Sequence, residues 1–104
     1  SMAGLSEEQL ATFRERAVPQ PVGSMRDAVS LTDERRLDVP GTIVCTAFTA
    51  VDYRSYAERG TPFLQGLLQH RRLELVDLPT GHWPMWSRPA ELADLIAQAA
   101  AGQA

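Results

Sequence analysis

The sequence contains no lysine; every one of its 10 basic residues is arginine. That excludes a Schiff-base lysine, a phosphate-cradling P-loop lysine and a Ser-Lys dyad. A single cysteine, Cys45, precludes an internal disulfide and any cysteine-rich zinc site. It lies in an apolar run, which points to a buried, inert thiol. The two histidines, His70 and His82, lack ligand-like spacing, so neither a metal centre nor a cofactor is expected. No run approaches the ~18 apolar residues of a membrane span, so no membrane partner is expected. With net charge −3 and basic residues scattered among acidic ones, the chain offers no stripe for nucleic acid. Internal repeats are absent. So is Gly-x-Ser-x-Gly, the strand-turn-helix signature of a serine nucleophile.

What is there fits one small domain or a piece of a larger one. Apolar content of 44% is ordinary for a soluble globular protein. The first residues are polar and acidic, unlike a secretory signal, and Ser1-Met2 reads as a cloning remnant. A cytoplasmic location is expected.

The chain divides near residue 38. In the first unit, residues 1–38, Ser6 and Gln9 form a capping box with Leu5 and Leu10 as a staple. Leu10, Phe13 and Ala17 mark one helical face, and Pro19 and Pro21 end that helix. The rest is irregular, with a short turn at Thr32-Asp33. In the second unit, residues 39–104, Thr42-Ile43-Val44-Cys45-Thr46 is a β-branched strand apolar on both faces, as in a covered parallel sheet. A helix follows over residues 52–59 with Gly60 as its C′ residue. Thr61-Pro62 opens another, with Phe63, Leu64, Leu67 and Leu68 on its buried side. Arg71-Arg72 lead into a second strand, Leu73 to Leu78, with Glu74 and Asp77 facing outward or at the strand end. His70, at a helix end, has a structural role. Pro89 opens the last helix, striped by Leu92, Leu95, Ile96 and Ala99. The alanine-rich tail is expected to fray.

Between the last strand and the last helix runs Pro79-Thr80-Gly81-His82-Trp83-Pro84-Met85-Trp86-Ser87-Arg88. This loop sets His82 at the carboxyl edge of a sheet, where α/β proteins do their chemistry. A histidine there suits proton transfer, since its unperturbed pKa of ~6.5 lets it take and return a proton near neutrality. Trp83, Met85 and Trp86 either line an apolar substrate pocket or plug the loop onto the fold. Asp52 is the nearest carboxylate beyond the first strand, and it equally suits helix capping.

Strand, Gly-His loop, apolar plug and Pro-opened helix, in that order, resemble the C-terminal end of the α/β-hydrolase fold. Val39 to Ala100 is most similar to the subset that includes hydroxynitrile lyases and small esterases. The resemblance implies an α/β fold holding that family's last two parallel strands with flanking helices, a βαβα unit with an incomplete sheet. Residues 5–38 would match the exit from the family's cap insertion. It further implies His82 as the general base of a Ser-His-Asp triad, Asp52 as a possible acid, and an ester-like small-molecule substrate. The place the family's acid normally occupies holds Thr46-Ala47-Phe48-Thr49, and nucleophile and oxyanion loop are missing. The chain is therefore expected to be an inactive C-terminal piece of an esterase-type enzyme. The alternative is a stand-alone, non-catalytic association domain derived from the same fold. Two strands patterned for burial on both faces need more cover than the chain provides, so a homo-oligomer or partner chain is expected.

Overall fold

A computed structural model describes residues 2–102. Ser1 and the last two residues of the tail lie outside the described residues. Helix α1 (Glu7–Arg16) opens on the expected capping box: the Ser6 hydroxyl accepts from Gln9 N–H, and Gln9 accepts from Ser6 N–H. A cap of this kind contributes about 1 kcal/mol. A single turn, α2 (Gly23–Arg26), interrupts the otherwise irregular stretch; no pattern in the sequence announces it. The turn expected at Thr32-Asp33 is a 3₁₀ segment, Glu34–Asp38, capped by the Asp33 carboxylate, and it buries Leu37.

Strand β1 (Gly41–Cys45) pairs in parallel with β2 (Leu73–Asp77), Gly41 opposite Leu73 and Cys45 opposite Asp77. The crossover between them is α3 (Ala50–Glu58) and a 3₁₀ segment, Pro62–Gln69. Beyond β2 come the short α4 (Pro84–Ser87) and α5 (Pro89–Gly102). The architecture is mixed α/β around a two-stranded parallel sheet. Among the described residues no helix is long and apolar enough to cross a membrane.

The strand pleat sorts side chains between two faces. Asp77 shares a face with Cys45 and faces α3, where its Oδ1 accepts the Ala50 N–H at 2.7 Å. Thr42 and Val44 fall on the other face and line a cleft with Leu95 and Ala99 of α5. The core is small: Leu37, Cys45, Ala57, Leu64 and Leu78 are its buried apolar residues.

Three expectations are corrected. Both strands were expected to be buried on two faces, yet their residues are mostly half-buried, and only Cys45 is buried. The described residues supply no third strand and α5 leaves an open cleft over the sheet. Phe63 and Leu68, expected inside, are 83% and 50% exposed. The segment is 3₁₀, so its three-residue repeat puts Leu64 and Leu67 on one side and turns Phe63 away. The alanine-rich tail does not fray by Gly102: α5 continues through it, as alanine's helix propensity favours. Gly60 takes the left-handed C′ conformation expected of it, at φ +84°.

Candidate functional site at the carboxyl edge of the sheet

The loops that follow the two strands run side by side. Leu78 N–H donates to Cys45 O at 2.9 Å, and Thr80 N–H donates to Thr46 O at 3.2 Å, so the two loops stay hydrogen-bonded past both strand ends. Asp52 and His82 therefore follow strands that end on the same edge of the sheet.

Beyond Thr80 the chain folds into a bracket. The Thr80 and Ser87 hydroxyls share a hydrogen bond of 2.6 Å, and the N–H groups of Trp86 and Ser87 both donate to Trp83 O. Gly81 is buried against the N-terminal segment: a Cβ at this position would overlap the Ala3 carbonyl. Helix α1 grips the bracket from outside. Phe13 meets Trp83 edge-on at 5.2 Å and Trp86 at 6.3 Å, and the Gln9 amide donates to Trp86 O at 2.9 Å. Gln9 thus caps its own helix and anchors that helix to the loop.

His82 stands exposed at the tip. Its ring meets Trp83 at 5.1 Å with the planes at 87°, and it makes no hydrogen bond or ion pair among the described residues. The tryptophan packs edge-on against the imidazole. Asp52 is not joined to it. At the third position of α3, its Oδ2 accepts the Thr49 N–H at 3.2 Å while Thr49 Oγ1 accepts the Asp52 N–H at 3.1 Å. The N-cap is Thr49, with Asp52 completing a capping box. Trp83 and Trp86 are half-buried against Phe13, an arrangement that plugs the loop to α1, whereas Met85 is 50% exposed.

Residues whose sequence pattern implies only local roles also shape this edge. Gln9 and Phe13 hold the loop through contacts that span some seventy positions, and no local pattern marks them. Asp77, read as an outward or strand-end residue, ties β2 to α3. The Thr49-x-x-Asp52 spacing was a legible capping-box signal for the start of α3. Cys45 is 1% exposed, and burial, with Asp77 adding repulsion, pushes its thiol above the ordinary range, as suits an inert side chain. Two clefts, of about 420 and 280 Å³, lie between the sheet and α5, and neither is lined by His82 or the tryptophans. No group of acidic, histidine and cysteine side chains that could hold a metal ion occurs among the described residues. Set against known protein families, curated proteins and solved structures, the chain matches none.

Proposed function

We propose that this chain is the closing C-terminal unit of an α/β-hydrolase-type enzyme and presents His82 as the general base for esterase-type acyl hydrolysis. The observation that carries the reading is an exposed imidazole at the carboxyl edge of a parallel strand pair, on a loop braced by α1 and Trp83. A general base must be accessible to the proton it takes and rigid enough to meet it. In the proposed reaction His82 removes the hydroxyl proton of a serine that lies outside these residues. The serine oxygen bonds to the ester carbonyl carbon, and the imidazolium returns its proton to the departing alcohol. Water, deprotonated by the same imidazole, then bonds to the acyl carbon, and as the bond to the serine oxygen breaks the imidazolium returns its proton to that oxygen. Thr49 N–H engages Asp52 Oδ2 and no hydrogen bond joins Asp52 to His82, so in this proposal the acid that orients the imidazole is assigned to the completing part of the enzyme.

The alternative, a non-catalytic association domain, is favoured by the closed aromatic contact of Phe13 with both tryptophans, which leaves little room for a substrate beside the loop. Two results separate the readings. Sequence continuous with and upstream of Ala3 that encodes further strands and a Gly-x-Ser-x-Gly elbow supports the enzyme unit; an upstream region without either supports the association domain. The isolated chain, assayed with an activated ester, should turn over no faster than His82→Ala, because a base without nucleophile and oxyanion hole has almost nothing to catalyse. Turnover abolished by His82→Ala would instead place a complete site within these residues.

A further inference from the structure

The outer edge of β1 is unpaired and undefended. Gly41 N–H donates to Arg72 O and Cys45 O accepts from Leu78 N–H, so the backbone groups of the odd-numbered residues point at β2. By the alternation of a parallel ladder, the N–H and C=O of Thr42 and Val44 point the opposite way, where the described residues place no strand. The strand, Gly41-Thr42-Ile43-Val44-Cys45, carries no charge, proline or bulge, the usual devices that keep an edge from pairing. Beside it, Ile96 of α5 is 59% exposed and lines an apolar cleft with Thr42 and Val44.

Size points the same way. The accessible surface is 8019 Å² for 11.4 kDa, whereas a compact monomer of that mass exposes roughly 5,800 Å². The radius of gyration is 16.2 Å, against about 13 Å for a compact chain of this length. The excess of roughly 2,200 Å² exceeds the ~800 Å² that each partner contributes to a standard interface. Part of it lies in residues 17–35, all of which are exposed.

We propose that the outer edge of β1 binds the same edge of a second copy, antiparallel, about a two-fold axis through Ile43. Thr42 of each copy then faces Val44 of the other, and each such pair exchanges both of its N–H···O bonds. A continuous four-stranded sheet results. The contact is isologous and closed, so it ends at a dimer. The axis stands perpendicular to the sheet and carries both α5 helices to one face, where each cleft gains a second wall. The pairing is that of the chain by itself: within the proposed enzyme a strand of the completing part would take this same edge, so failure of the dimer leaves the catalytic reading intact.

The Ile43 pair on the axis is the non-hydrogen-bonded kind, with Cα atoms ~4.5 Å apart, within the range a disulfide spans. The test combines sedimentation of the full chain with oxidation of an Ile43→Cys, Cys45→Ser variant. A concentration-dependent dimer at micromolar concentrations, and a disulfide-linked dimer from Ile43→Cys but not from Ser24→Cys in the same background, are expected. Thr42→Pro removes an outward N–H while leaving the bonds to β2, and should shift the chain to folded monomer, with circular dichroism reporting that the fold survives. A folded wild-type monomer throughout that range overturns the proposal, as does a dimer that Thr42→Pro leaves intact or that Ile43→Cys does not cross-link.

Discussion

Phe13→Ala tests whether α1 holds the His82 loop. Phe13 is half-buried, and both of its ring neighbours belong to the loop. Fully burying a phenylalanine contributes about 1.5–3 kcal/mol, so half-burial gives roughly 1 kcal/mol. Edge-to-face pairs contribute about 0.5–1.5 kcal/mol beyond area. Its two contacts, the longer one weaker, bring the expected loss to about 2 kcal/mol, a roughly thirty-fold change in the unfolding equilibrium. Urea unfolding followed by tryptophan fluorescence reads both consequences, because Trp83 and Trp86 are the chain's two tryptophans. Protein concentration must be held fixed, since self-association would contribute to apparent stability. The native emission should shift to the red as both indoles gain water, and Phe13→Leu should recover about half of the lost stability. A loss under about 0.5 kcal/mol with unchanged native emission would refute the bracing role; that is the size expected of an ordinary surface substitution.

Other outcomes follow from the same contacts. Asp77→Ala should cost about 1 kcal/mol through the lost bond to Ala50 N–H, which solvent reaches, with Asp77→Asn milder; equal, negligible losses in urea melts would count against that bond. Asp52→Asn in the enzyme that contains this unit should leave the rate near normal, because asparagine can still accept from Thr49; a loss near 10⁴ would assign Asp52 as the acid. Cys45 should resist iodoacetamide in the native chain and react on unfolding, and rapid native alkylation would contradict its burial. The Arg35 guanidinium beside Asp33 holds that carboxyl below the usual carboxylate range. A lowered folded-state pKa stabilises above the unfolded value and is lost as pH falls through the folded one. Arg35→Ala should therefore move the Asp33 titration upward by NMR, with little change in stability because the pair is exposed.

Local chemistry was legible in the sequence wherever a few neighbouring residues decide it. Ser6 with Gln9, Gly60, and Pro89 marked helix ends because capping and left-handed turns depend on residue types at fixed short offsets. The two strands were visible as β-branched or apolar runs, and their parallel pairing followed from the helical crossover between them. Phe63 was misplaced because apolar spacing alone does not distinguish a 3₁₀ segment from an α-helix. Asp52 suits an N-cap by residue type, yet Thr49, three residues earlier, holds that position. The clasp of Gln9 and Phe13 on the loop could not be read, since it joins residues from opposite ends of the chain. Position, more than identity, separates a candidate base from an ordinary loop histidine, and the position of His82 depends on that clasp.

The central claim, that His82 serves a serine nucleophile outside these residues, is met most directly by fluorophosphonate labelling of the enzyme that contains this unit. The reagent reports serine nucleophilicity and needs no knowledge of the substrate. The expected result is one labelled serine upstream of Ala3, with labelling slowed by at least about 10³-fold in His82→Ala, as loss of a triad base demands. An upstream serine that labels equally fast in His82→Ala would contradict the claim, as would the absence of any labelled serine.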